Sequence, residues 1–306
     1  MEILKDITII LLTIVVIGKG ATWLVDAAIR VANRLGVSEL VIGLTIVAFG
    51  TSAPEFGVTI LAAFRGMSDI SVGNIVGSNI FNLGFILGGT AIIHSLKTNK
   101  TIIQRDGFFL LFGAILLVGF LWNLSLNRTE GIILFVLLIV YLSYLYFKRE
   151  PAGVEVTIGK FRWQDPMLLL LGMGMVLGGS HFLVISAVSL AKIMGVSEWV
   201  IGTTIVAAGT SAPEFATSLV AALRGRYGIS VGNLIGSDIF NLFGVLGLAA
   251  ILRNLPVDAD ARSNLILLTL MVILVLIFMR TGWVISRREG VVLVIIGLSR
   301  WIYTFW

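Results

Sequence analysis

Gly50-Thr51-Ser52-Ala53-Pro54-Glu55 stands inside a long apolar segment, and the same six residues return as Gly209-Thr210-Ser211-Ala212-Pro213-Glu214. Each copy places a helix-loosening Gly, two hydroxyls, a Pro and a carboxylate where a membrane helix would otherwise run. A carboxylate near mid-bilayer costs about 3 kcal/mol or more, so such residues mark functional sites. Pro54 has no amide hydrogen and leaves the Gly50 carbonyl without its helical partner; Pro213 does the same to Gly209. Unpaired backbone at membrane depth persists only where protein or a wet cavity surrounds it. Two such breaks, each with its acid, predict one site shared between two halves.

The surrounding sequence supports the halves. Shifting residues 36–92 by 159 places them on 195–251, and 37 of the 57 positions are then identical. A repeat of this strength outranks other fold signals. The chain has 306 residues, is 58% hydrophobic and 13% charged, and has a mean hydropathy of +1.03. So few charges could not cover a soluble surface, and the long apolar runs match membrane helices. We read ten spans, near 7–30, 38–65, 70–95, 107–124, 130–147, 166–192, 197–223, 229–252, 264–280 and 289–304. The predicted fold is therefore an all-α polytopic membrane protein. Residues 1–147 form a first five-helix repeat, 148–165 a linker and 166–306 a second five-helix repeat. Five is odd, so the second repeat enters the membrane the opposite way, and the site is expected near the midplane between inverted repeats.

Loop charges set the orientation. With the N-terminus outside, inner loops hold fourteen Lys and Arg and outer segments seven, with Lys19 inside the first span. That bias predicts both termini outside and the linker in the cytoplasm of a cell membrane. It also accounts for the net charge of +5 without a nucleic-acid partner. The first apolar run continues from Ile7 towards Ile29, too long for a signal-peptide core. The absence of Cys excludes disulfides and thiolate metal sites.

On a helix Thr51 and Glu55 lie at i and i+4, and Ser52 and Glu55 at i and i+3. Thr210, Ser211 and Glu214 repeat the pattern. The following span adds Ser78 and Asn82, answered by Ser237 and Asn241, with Asn74 and Asn233 a turn back. Pooled, these segments offer two carboxylates, hydroxyls, amide carbonyls and freed backbone carbonyls. Such an all-oxygen set suits a hard cation such as Ca2+ or Na+, and suits Mg2+ less, which demands a tight octahedron. A single Ser, Thr or Gly in a membrane helix often serves only close packing. An acid in both repeats has no such account. The hydroxyls lack a His or Lys base, so the pattern does not point to an enzyme, and no cofactor is implied.

The motifs Gly50-Thr51-Ser52-Ala53-Pro54-Glu55 and Gly77-Ser78-Asn79-Ile80-Phe81-Asn82, with their second-half counterparts, resemble the alpha repeats of the sodium/calcium exchanger family. The short linker resembles its prokaryotic members. The resemblance implies a secondary antiporter that exchanges inward Na+ for outward Ca2+, with the lipid bilayer as its medium. It makes Glu55 and Glu214 central ligands for both ions. Thr51, Ser52, Ser78, Thr210, Ser211 and Ser237 would supply hydroxyls, Ala48 and Ala207 backbone carbonyls, and Asn82 and Asn241 would complete the ring. Some relatives carry Asp where this chain has Asn241, and Asn there resembles the potassium-independent pattern. Asp238 stands where the first repeat has Asn79. It lines the access path, adjusts the site's charge, or bonds within the bundle. By resemblance, spans 7–30 and 166–192 slide against the ligand-bearing core. A proton-coupled antiporter of the same fold and a cation channel are the alternatives.

Overall fold

The computed structural model describes residues 2–148, 161–196, 205 and 207–303. Predicted features at 149–160, 197–204 and 206 lie outside the described residues, among them most of the linker and the start of the span at 197–223. The main elements are helices: α1 (Glu2–Leu35), α2 (Glu39–Thr51), α3 (Ala53–Phe64), α4 (Ser68–Ile93), α5 (Ile102–Asn123), α6 (Arg128–Lys148) and α7 (Asp165–Ile193). They continue with α8 (Ala207–Thr210), α9 (Ala212–Leu223), α10 (Tyr227–Leu252), α11 (Asp260–Arg280) and α12 (Arg287–Tyr303). Among the described residues seven helices are long and apolar enough to cross a membrane, or up to eight spans if α2 and α3 count as one. Large apolar side chains such as Leu11, Leu12, Phe112 and Ile115 face outward, as lipid contact requires.

α2 and α3 meet at a 51° bend. Pro54 sits in the first turn of α3, where its missing amide costs nothing. Glu55 occupies that same first turn, and Glu214 the first turn of α9 behind Pro213. Helix N-termini favour negative charge, so each acid sits at the favourable end of its helix dipole. Three widened, π-helical turns lie close by, at Gly43–Val47, Asn82–Leu87 and Phe240–Val245. Each inserts an extra residue into a turn, a device frequent at functional sites. No sequence signal marked them.

The two halves touch reciprocally. One short strand pair aligns Leu96 with Ile285, the other Leu126 with Leu255. Since 96 + 159 = 255 and 126 + 159 = 285, each pair is the image of the other. α1 and α7 pack where side chains are absent. A Cβ at Gly20 would meet the Gly172 carbonyl at 2.9 Å, and one at Gly179 would meet the Ile17 side chain at 2.6 Å. Partner numbers fall on α7 as they rise on α1, so these two helices run antiparallel. α4 and α10 are the central helices and mostly buried, whereas α1 and α7 are mostly exposed at the periphery.

Several helices start before the predicted spans, α5 and α7 among them. α5 includes Gln104-Arg105-Asp106, predicted as loop. Asp106 is tolerated in the buried wall because Arg105 Nε (2.6 Å) and the Tyr141 hydroxyl (2.8 Å) donate to it. α7 begins at the buried Asp165, which accepts from Arg30 Nε and from the Arg162 amide, both at 2.6 Å. Arg224–Asp26 and Arg226–Glu39 are further ion pairs between the halves at the end that loop charge predicts to be cytoplasmic. Removing one partner of a buried pair costs about 3–5 kcal/mol. Arg30→Gln is therefore expected to lower the thermal midpoint in detergent by several degrees. The double variant with Asp165→Asn should lose less, which a two-by-two melting comparison would read.

Candidate cation site

Glu55 and Glu214 are fully buried. Their closest hydroxyl partners come from the opposite half. Ser211 Oγ donates to Glu55 Oε1 at 2.8 Å, and Ser52 Oγ donates to Glu214 Oε1 at 2.9 Å. Helical spacing had put each Ser beside its own Glu; the break before α3 and the packing of the halves cross the pairs instead. Ser237 Oγ reaches Glu214 Oε1 at 3.4 Å and lies the same distance from Thr51 Oγ1. Thr51 also donates within 3.1 Å of Asn233 Oδ1 and 3.3 Å of the Ala48 carbonyl.

The remaining predicted residues differ in what they engage. Ser78 is buried and donates to the Ile75 carbonyl of its own helix at 3.1 Å. Thr210 is half-buried at the end of α8, and Ala207 opens that helix. Asn82 Nδ2 donates to Asp238 Oδ1 at 3.0 Å, and Asn241 Nδ2 to Asn79 Oδ1 at 3.0 Å. Asn82 and Asn241 thus bond to Asp238 and Asn79, while the hydroxyls carry the glutamates. Asn79 Nδ2 closes this second group on the Asp238 carbonyl at 3.1 Å.

Behind the acids the helix ends are tied down. Asn74 Nδ2 donates to the Glu55 carbonyl (3.3 Å) and Thr59 Oγ1 (2.9 Å). Asn233 Nδ2 repeats this with the Glu214 carbonyl (3.4 Å) and Ser218 Oγ (3.0 Å). Thr59 and Ser218 went unnoticed in the sequence, although each lies four residues after its Glu, one turn along the same helix face.

Several buried oxygens have no hydrogen-bond partner: Glu55 Oε2, Glu214 Oε2, Asp238 Oδ2, Asn82 Oδ1 and Asn241 Oδ1. All five are acceptors. Leaving a buried carboxylate oxygen unpaired is costly in a low-dielectric interior unless a cation meets it. Among the described residues the ion pairs do not reach Glu55, Glu214 or Asp238. Nor do three of His, Asp and Glu gather into one metal cluster, so hydroxyl and amide oxygens must supply much of any coordination shell. Such a donor set fits hard cations.

The long apolar helices define an integral membrane protein, whose buried acids lie at helix breaks. The family model described as sodium/calcium exchanger protein matches residues 5–147 and 165–297, and the chain belongs to that family. It is 34% identical to the sodium/calcium exchanger MaX1 of Methanosarcina acetivorans over 97% of this chain and 98% of that protein. It is 31% identical to the inner membrane protein YrbG of Escherichia coli, covering 90% and 89% of the two chains. The solved sodium-calcium exchanger NCX_Mj superposes with a TM-score of 0.85 at 30% identity, covering 97% of each chain. MaX1 and NCX_Mj are named as exchangers, that is, as transporters and not enzymes.

Proposed function

We propose that the chain is a secondary antiporter that expels Ca2+ from the cytoplasm in exchange for Na+ entering down its gradient. The observation that carries this reading is the reciprocal pair Ser211–Glu55 and Ser52–Glu214, each acid keeping its second oxygen unpaired at full burial. Two carboxylates balance one Ca2+, or hold Na+ ions in its place, so the ions exclude each other because both need the same oxygens. The same reading makes Thr51, Ser52, Ser78, Thr210, Ser211, Ser237, Asn82 and Asn241, with the Ala48 and Ala207 carbonyls, the remainder of the ligand set.

Ten spans in two inverted five-helix repeats, residues 1–147 and 166–306 around the linker 148–165, complete the proposal. The mirrored strand pairs and the antiparallel α1–α7 packing support it. The loop charges support a plasma-membrane orientation with both termini outside and the linker cytoplasmic. Isotopic Ca2+ flux from loaded vesicles under imposed Na+, K+ and H+ gradients is the test. Release driven by Na+ is expected. Release driven by a pH gradient alone would make the protein a proton-coupled antiporter, and flux without any counter-ion would make it a channel.

A further inference from the structure

Residues 159 apart are equivalent in the two repeats, and this extends to α1 and α7. A Cβ at Gly20 would lie 3.1 Å from the Val176 amide, and one at Gly179 would lie 2.6 Å from the Ile17 side chain. Here 20 + 159 = 179 and 17 + 159 = 176, so the two contacts are images of each other. The ends of the molecule nevertheless differ. α1 packs along α9, whereas their images, α7 and α3, scarcely touch. Ile229 is fully buried in one apolar cluster with Leu24, Ala28 and Ile29 of α1, yet its image Ile70 is 53% exposed. The end that loop charge predicts to be cytoplasmic is thus closed by α1, and the outer end is looser. Ion pairs follow the same asymmetry. Asp26 of α1 pairs with Arg224, which follows α9. Their images are Ile185 and Arg65, which cannot pair. Arg226, paired with Glu39, corresponds to Met67, and Arg30, paired with Asp165, to Ser189. Among the described residues Arg65 forms no ion pair.

In an inverted-repeat transporter the repeats move against each other around a fixed site. When they exchange conformations, each contact that closes one end is replaced by its image at the other. We propose that Asp26 and Arg224 form a one-sided latch, which closes the cytoplasmic end and makes the outward-facing conformation the resting state of this chain. In the exchanged conformation α7 closes on α3 and brings Ile185 to Arg65, so the inward-facing state gains no matching ion pair. A contact present in one state alone shifts the equilibrium by its own free energy. Both side chains of the latch are half-buried, and a pair of that kind changes a population by a factor of up to about five. The inference rests on the antiporter reading, through its alternating access between the repeats.

Single Cys reporters at positions 70 and 229 meet no background, because the chain has no Cys. In detergent-purified full-length protein without Na+ or Ca2+, a charged maleimide should modify Ile70→Cys faster than Ile229→Cys. Asp26→Asn and Arg224→Gln should each speed modification of Ile229→Cys by up to about fivefold, without speeding that of Ile70→Cys. The double variant should go no further than either single one, since both remove the same contact. The charge swap Asp26→Arg, Arg224→Asp should bring the rates back to those of the parent, which a mere loss of packing would not. Ile185→Asp offers Arg65 a partner at the outer end, and should speed Ile229→Cys although Asp26 and Arg224 remain. An unchanged Ile229→Cys rate in Asp26→Asn and Arg224→Gln would overturn the proposal. So would a charge swap that restores nothing, or an Ile185→Asp protein that labels like its parent. Reporters that speed up together in every variant would instead overturn alternating access, and with it the antiporter reading.

Discussion

Glu55→Gln and Glu214→Gln are each expected to abolish Ca2+ exchange while leaving a folded, membrane-inserted protein. A Gln carbonyl can still accept from Ser211 or Ser52, so the hydrogen bonds of 2.8 Å and 2.9 Å have a surviving acceptor. What disappears is a charge opposite a buried divalent ion. Uncompensating a buried charge costs about 3–5 kcal/mol. At 1.4 kcal/mol per factor of ten, Ca2+ affinity should fall by about two to three orders of magnitude or more. In the absence of Ca2+ the variants should melt at or above the wild-type midpoint, because a neutral amide is cheaper to bury than an unpaired carboxylate. Isotopic flux reads the first effect, and melting with and without Ca2+ reads the second. A wild-type protein at about 100 Kd of Ca2+ gains about 2.7 kcal/mol, and the variants should lose that gain. Robust transport by either variant would remove its Glu from the central site.

Gly131→Leu should be strongly damaging although it lies outside the cation site. A Cβ at Gly131 would lie 2.7 Å from the Gly247 carbonyl and 2.8 Å from the Ile251 amide, both backbone atoms of α10. Backbone cannot move aside as a side-chain tip can, so α6 and α10 would have to separate. Overpacking of this kind costs about 1–3 kcal/mol and more where the surroundings are rigid. The same crossing occurs in the other half: a Cβ at Gly290 would lie 2.6 Å from the Gly88 carbonyl. Because 88 + 159 = 247 and 131 + 159 = 290, Gly290→Leu should match Gly131→Leu in effect. Gly73→Ala, with nothing within 4 Å of the added carbon, is the control and should leave the melting midpoint unchanged or slightly raised. Size-exclusion profiles and melting midpoints of detergent-purified protein would show the difference. Unaffected melting of Gly131→Leu would mean that α6 and α10 are not held in this close contact.

Much of the protein can be read from its residues because the decisive signals are local or periodic. Mean hydropathy and run length place the chain in a membrane, and a 159-residue shift exposes the repeat. The pairing of Pro54 with Glu55, and of Pro213 with Glu214, marks both helix breaks and both acids. These conclusions need only the composition of a segment and its period.

The partners of those residues are a different matter. Helical spacing relates Ser52 to Glu55 and Ser211 to Glu214, but says nothing about which half a hydroxyl will face. The 51° bend and the packing of the two halves against each other decide that, and they hand each Ser to the other half's Glu. The widened turns at Asn82–Leu87 and Phe240–Val245 likewise leave no mark in the sequence. They depend on packing that overrides the ordinary helical hydrogen bond. Asp238 shows the division most clearly. The sequence alone determined that an acid stands where the first repeat has an amide. Only the tertiary structure decided that it is fully buried, takes one bond from Asn82 and keeps an unpaired oxygen, because burial and partnership depend on what the rest of the chain brings against it.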